Sequence, residues 1–314
     1  MKCADLFAGC GGLSKGLQNA GFEVVVGIEY WEDARSVYEN NLHHECLNLD
    51  LSDVEMAVSL LSKMNLDMVV GGPPCQDYSS AGKRTEGTRA NLTVSYGEIL
   101  RSVRPTWIVM ENVPLTRKSH SYSMYRQIVK EAGYGLTEVV LDASFCGVPQ
   151  SRKRLFSIGK LGEDDGFLSD IIDSEKSENP MTVRDYFGDE LDVEHYYRHP
   201  RSYQRRGVYS VDEPSATIRG VNRPLPSGYP GHHLDSTKNL SKVRPLTTKE
   251  RAMIQTFPED FIFSGSKSAQ EQMIGNAVPV NLGAFVGRCV MKYHQSVQTT
   301  GVVVDEVLSV AKTK

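Results

Sequence analysis

Over its first 160 residues the chain alternates short apolar runs with amphipathic helical stretches, and this alternation constrains its fold more than any other feature. Cys3-Ala-Asp-Leu-Phe7 reads as a strand, Leu13–Ala20 as a helix, Phe22–Ile28 as a strand and Trp31–Asn41 as a helix. Asp67–Val70 and Trp107–Met110 follow as strands with Tyr96–Ser102 helical between them, then a helix over Tyr122–Glu131 and strands over Leu136–Leu141 and Leu155–Ile158. Such alternation predicts a doubly wound α/β sheet. The character changes near Lys160. From there to about Ser264 the chain is rich in Pro, Gly, Ser, Arg and Tyr, and runs such as Pro224-Leu-Pro-Ser-Gly-Tyr-Pro-Gly231 are turn chemistry, so a smaller, irregular domain is expected. Thr247–Gln255 predicts a short helix with Thr248 as its N-cap. A glycine turn at Ile274-Gly-Asn-Ala-Val-Pro279 precedes a helix from Asn281 to about His294, which is expected to pack back on the first domain.

Within this frame one thiol stands out. In Gly71-Gly-Pro-Pro-Cys-Gln-Asp-Tyr-Ser79, Cys75 follows two prolines that must end the preceding strand, because proline fixes φ and cannot donate to a sheet ladder. A thiol held on a stiff turn at the carboxyl end of a strand sits where open α/β sheets bind ligands. The bland reading is a small buried hydrophobe, the commoner fate of a free cysteine. The loop from Asp77 to about Thr93, rich in Ser, Gly, Lys and Arg, reads as a mobile lid over this turn.

The amino-terminal strand leads into Asp5-Leu-Phe-Ala-Gly-Cys-Gly-Gly-Leu-Ser-Lys-Gly16, a glycine turn that lets a ligand approach the backbone. About 20 residues on, Glu29 ends the second strand, where an acid accepts hydrogen bonds from ribose hydroxyls. Tyr30 is placed to stack on a flat base. Asp50, with Leu51, sits where a third strand would end and is a candidate acceptor for an adenine amino group. A nucleoside-bearing cofactor is therefore expected. The turn lacks the G-x-G-x-x-G spacing that sets a pyrophosphate on a helix N-terminus, which disfavours NAD and favours S-adenosylmethionine, a cofactor without phosphate.

Composition limits the alternatives. The 314 residues carry a net charge of −4 and ordinary globular proportions. No apolar run approaches the roughly 20 residues of a membrane helix, and the amino terminus lacks a signal-peptide shape. Six scattered cysteines suggest neither a metal site nor a disulfide framework and fit a reducing, cytoplasmic setting. The charge is uneven. Between Tyr196 and Arg251 eleven Lys/Arg face four acids, a local excess of seven that predicts a face for a polyanion.

Taken in order, Asp5–Leu17, Gly72–Ser79, Glu111-Asn-Val113, Gln150-Ser-Arg-Lys-Arg154, Arg244–Phe257 and Gln272–Asn281 resemble the motif series of the bacterial-type DNA (cytosine-5)-methyltransferases, from restriction-modification systems or standing alone. The resemblance spans nearly the whole chain. It implies a Rossmann-like mixed sheet with a smaller target-recognition domain, divided as 1–160 plus 268–314 for catalysis and cofactor and 161–267 for recognition. It implies S-adenosylmethionine as methyl donor and a cytosine flipped out of double-stranded DNA as acceptor. Cys75 would be the nucleophile at carbon-6, Glu111 the partner of ring nitrogen 3, Arg154 the holder of the cytosine carbonyl, and Arg152 a support for the site or a phosphate. Pro73 would line the methionine end of the cofactor and Pro74 the cytosine; Gln76, Ser79, Asn112, Val113 and Gln150 would shape the nucleotide pocket. Phe7, Ala8, Gly9, Gly11, Gly12, Leu13 and Leu92 are expected at the cofactor, to which Asn276, Ala277 and Val278 would return. Thr217, in Ala-Thr-Ile-Arg-Gly220, matches a recognition-region position, and Arg205, Arg206, Arg219 and Arg223 are candidate base or phosphate contacts.

Where the family has Trp after the cofactor acid, this chain has Tyr30 and then Trp31, which leaves the stacking ring open. An RNA (tRNA) cytosine-5 methyltransferase shares the scaffold and is the alternative; the long basic segment favours duplex DNA. A catalytically silent DNA-binding relative is opposed by the intact Cys75, Glu111 and Arg154, and a nicotinamide oxidoreductase by the missing fingerprint. A monomer, with a cognate restriction endonuclease as possible partner, completes the expectation.

Overall fold

The computed structural model describes residues 1–74, 91–188, 190–202 and 204–311. The chain begins with β1 (Lys2–Leu6), α1 (Gly12–Asn19), β2 (Glu23–Ile28), α2 (Glu32–Asn41), β3 (Cys46–Leu47), α3 (Val54–Leu61) and β4 (Met68–Gly71). It continues through α4 (Asn91–Val103), β5 (Trp107–Asn112), α5 (His120–Glu131), β6 (Tyr134–Asp142), β7 (Gln150–Ser151) and β8 (Lys153–Leu161). After α6 (Ser169–Glu175) and α7 (Val183–Phe187) come four short strands, β9 (His195–Tyr197), β10 (Val208–Ser210), β11 (Ser215–Ala216) and β12 (Arg244–Pro245). Three helices close the chain: α8 (Thr248–Ile254), α9 (Lys267–Asn276) and α10 (Val280–Ala311).

Seven strands form one sheet in the order β3-β2-β1-β4-β5-β8-β6. The five from β3 to β5 run parallel, and β8 pairs antiparallel with both β5 and β6. This is the doubly wound sheet expected from the alternation, mixed as the family resemblance implies. Side chains alternate across it as strands require. Cys3, Met68, Val70, Trp107 and Val109 point into a core shared with α1 and α10. Ala4, Leu6, Val69, Ile108 and Met110 point into the opposite core, against α3, α4 and α5. The chain winds outward from β1 in one direction and resumes at β4 in the other, so the crevice beyond the carboxyl ends of β1 and β4 is the topological switch point.

Close helix packing joins the two ends of the chain. A Cβ on Gly12 would fall on the Val278 carbonyl oxygen, and one on Gly16 would fall on that of Val280, so α1 meets α10 backbone to backbone. The stretch Lys267–Val297 is long and apolar enough to cross a membrane, yet 78% of its most apolar window is buried inside the protein, which makes it a core element.

The irregular region holds a small sheet, β10-β9-β12, and β11, which pairs with β7 of the first unit. Its apolar residues are not walled off. One cluster runs from Ala8 and Val37 through Val183 and Tyr209 to Met273 and Ile274. Two local expectations are corrected. The N-cap of α8 is Thr247, whose hydroxyl accepts from the Glu250 N–H in a full capping box, and Thr248 lies one residue inside. Ile274-Gly-Asn276 is not a turn but the last turn of α9.

Candidate active site

Along β5 the row Trp107, Val109, Glu111 faces one side of the sheet, and its third member replaces an apolar side chain with an acid at the carboxyl edge. Glu111 is 9% exposed. Its Oε1 accepts from Arg154 Nε at 2.9 Å, across from the neighbouring antiparallel β8. A Cβ on Gly72 would lie 3.3 Å from Glu111 Oε2, so the second carboxylate oxygen abuts the Gly72-Pro73-Pro74 turn that leads to Cys75. Burial pushes the Glu111 carboxyl up, against the pull of Arg154 and Arg152. Burial likewise pushes the Arg154 guanidinium down, with Glu111 opposing. Asn112, next on the strand, donates from Nδ2 to the Pro73 carbonyl at 3.0 Å, while its Oδ1 accepts from the Val113 N–H and the Thr116 hydroxyl. The proline turn is thus tied to β5 one residue before Pro74. Cys75, Gln76, Ser79 and all but the last three residues of the expected lid lie outside the described residues.

The amino-terminal turn lies at the other side of the switch point. Phe7 (φ 60°), Gly9 (φ 57°) and Gly11 (φ 91°) all take left-handed backbone. Glycine adopts it without strain and Phe7 does not. Both oxygens of Glu29 accept backbone N–H groups, Oε2 from Gly9 at 2.8 Å and Oε1 from Trp31 at 2.7 Å. Each oxygen keeps a lone pair for a further donor. Asp5 is buried and accepts from the Ser14 hydroxyl at 2.6 Å; burial pushes its carboxyl up to about 7. Tyr30 is 70% exposed, with its ring open to a ligand, whereas Trp31 packs partly into the shared apolar cluster. Asp50 is exposed and accepts from the Ser52 N–H at 2.9 Å, and Leu51 is buried. Nothing lies within 4 Å of where a Gly9 Cβ would point, so the turn faces open space beside Glu29. Open turn, acid and exposed ring fit a nucleoside without phosphates.

The basic, irregular segment meets the first unit through β7 and β11. Thr217 donates from its hydroxyl to the Ser151 carbonyl at 2.8 Å, and its own carbonyl accepts from Arg198 at 3.0 and 3.2 Å. Thr217, Ser151, Arg198 and Arg206 line a cleft of about 580 Å³ with Asp142 and Ser144.

Comparison with known proteins decides the identity. The model of the C-5 cytosine-specific DNA methylase family matches residues 1–292. The chain is 53% identical to the Type II methyltransferase M.HindV of Haemophilus influenzae over 94% of its own length and 98% of that protein. It is 51% identical to M.HgiDI of Herpetosiphon aurantiacus, over 93% and 95%. In fold it is similar to the S. pombe Dnmt2 methyltransferase (TM-score 0.70, 18% identity, covering 93% and 98% of the two chains). The chain belongs to the C-5 cytosine-specific DNA methylase family. It methylates cytosine in DNA with S-adenosylmethionine as donor.

Other residues singled out in the sequence of this methylase have different surroundings. The Arg152 guanidinium, 1% exposed, donates to the carbonyls of Ile218 (3.1 Å), Gly275 (3.1 Å) and Ala277 (2.9 Å) rather than facing the site. Gln150 is fully buried, bonded to Gln255 and to the Ile218 N–H. Of the candidate DNA contacts, Arg206 pairs with Glu213 and Arg219 donates to the His199 carbonyl. Arg205 and Arg223 are exposed, with no ion pair among the described residues. Leu92 opens α4, Leu13 is buried in α1, Asn276 is exposed at the end of α9, and Val278 is buried against Gly12. Sequence reading missed Gln255, Arg198 and Ser14. Gln255 and Arg198 act on backbone carbonyls distant in sequence, which leaves no local signature.

Proposed function

We propose that Cys75 is the nucleophile of this methylase and that Glu111 and Arg154 hold the target cytosine against it. The observation that carries this reading is the buried Glu111–Arg154 pair beside the Gly72-Pro73-Pro74 turn. The Cys75 thiolate forms a bond to carbon-6, and the ring electrons it displaces make carbon-5 nucleophilic. Glu111, its carboxyl pushed up by burial, takes up a proton as the base enters and shares it with ring nitrogen 3 as that charge develops. Arg154 keeps its remaining N–H groups for the cytosine carbonyl. When bound, S-adenosylmethionine supplies an electrophilic methyl group; Glu29, Gly9 and the ring of Tyr30 would hold its nucleoside. Loss of the carbon-5 proton to water then expels the thiolate, and ring nitrogen 3 returns its proton to Glu111.

The substrate in this reading is a specific sequence in double-stranded DNA, met by the recognition region 161–267, with Arg205 and Arg223 among its exposed cations and Thr217 at the cleft. Residues 1–160 and 268–314 form the catalytic unit. The protein acts as a monomer in the bacterial cytoplasm, with a cognate endonuclease, in keeping with the Type II names of its relatives. Bisulfite sequencing of plasmid DNA from cells expressing the chain tests the function and yields the target. Protected cytosines at one sequence context are expected, and Cys75→Ser should abolish them while DNA binding persists. Full protection by the Cys75→Ser protein would overturn the assignment.

A further inference from the structure

Arg152 lies two residues before Arg154, in the break between β7 and β8, and its guanidinium bonds backbone carbonyls where that of Arg154 pairs with Glu111. One of its terminal nitrogens donates to Ile218, next to Thr217 in the recognition segment; the other donates to Gly275 and Ala277, where α9 runs into the cofactor-side residues. Gln150 and Gln255 repeat the connection. Gln150 accepts from the Ile218 N–H at 2.8 Å and donates to Gln255 Oε1 at 2.6 Å, and Gln255 donates to Ile274 and Ala277. The two segments also touch directly. A Cβ on Gly275 would fall on the Gly220 nitrogen, and one on Gly220 would fall on Gln272 Oε1. The two segments are therefore joined by side-chain hydrogen bonds and by direct backbone contact. Both terminal nitrogens of Arg152 are thus committed to backbone carbonyls, and its Nε is buried with no partner among the described residues.

We infer that Arg152 is a positioning residue that couples the DNA-recognition segment to the cofactor-side turn, and that it does not touch the flipped base. Moving Thr217–Gly220 onto DNA then shifts the carbonyls of Gly275 and Ala277, so DNA and cofactor each alter the other's affinity by one common factor. The inference rests on the site reading above, which puts Thr217 on the DNA and residues 276–278 on the cofactor.

The test uses the full chain, with S-adenosylhomocysteine as an unreactive probe and a duplex carrying the target found by bisulfite sequencing. The probe's Kd is measured with and without duplex. In the unsubstituted protein the ratio should differ from one by about five-fold or more. Arg152→Lys, which keeps the charge but cannot span three carbonyls, should bring the ratio close to one. Gln150→Glu, which sets two acceptors face to face at Gln255, should reduce it as well and serves if the first variant does not fold. A ratio of one in the unsubstituted protein overturns the inference. So does an unchanged ratio in both variants with only the Tm lowered, or turnover lost in Arg152→Lys with the ratio intact, which would place Arg152 at the base. Thr217→Ala and Asn276→Ala report separately on the site reading: the first should weaken only the duplex, the second only the probe.

Discussion

Glu111→Gln separates what the central ion pair does for stability from what it does for chemistry. Glu111 Oε1 and Arg154 Nε are 2.9 Å apart, and the two side chains are 11% and 14% exposed. At an effective dielectric of about 20, unit charges with centres about 4 Å apart attract by roughly 4 kcal/mol. Removing one member of such a pair costs about 3–5 kcal/mol, because the other charge stays buried without its counter-ion. At about 2.1 cal/mol/K of unfolding entropy per residue, a loss of about 4 kcal/mol lowers the Tm of a chain this long by about 6 °C. Turnover should fall about 10²–10⁴-fold, the usual worth of a general acid. The double variant Glu111→Gln/Arg154→Met removes both charges, so its Tm should recover to within about 2 °C of the unsubstituted protein, while methyl transfer stays abolished. Differential scanning fluorimetry and transfer of tritiated methyl to DNA give both readouts. Wild-type turnover in Glu111→Gln, or a double variant whose Tm loss equals the sum of the singles, would refute the reasoning.

The Asp5 carboxyl titrates at about 7 in the folded protein because of burial, and near 3.9 when unfolded. The folded state therefore binds the extra proton, and the stability it contributes is complete below about pH 4 and lost as pH rises to about 7. Asp5→Asn should gain on the unsubstituted protein across that window by an amount on the order of 4 kcal/mol; parallel Tm–pH curves would count against this. Gly16→Ala would drive its methyl group into the backbone of Val280 and Ala284, and overpacking of this kind costs about 1–3 kcal/mol or more; an unchanged urea midpoint would contradict it. Asn112→Ala frees the Pro73 carbonyl, so kcat should fall, and unchanged turnover in steady-state kinetics would reject that role.

The sequence made the sheet legible because its strands are apolar on both faces and its turns are written in glycine and proline. The acid that ends the Trp107, Val109, Glu111 row could be read for the same reason. The N-cap of α8 was within reach: Thr247 with Glu250 is a capping box, and Thr248 has no acid three residues on. The helix α9 was not, since its periodicity is weak and its last turn holds Gly275, a residue that reads as a turn until the backbone of Gly220 is found against it. Charge counting located a basic segment but could not say which of its cations are already paired. Arg206 is taken by Glu213 and Arg244 by Glu250, seven and six residues away. The sharpest contrast is between Arg152 and Arg154. They stand in one motif with the same chemistry, and the strand break at Arg152 turns one guanidinium inward to three carbonyls while β8 carries the other to Glu111. Those carbonyls lie 66 to 125 residues along the chain, a distance over which no spacing rule operates, so only the folded protein distinguishes the arginine bound to three carbonyls from the one paired with Glu111.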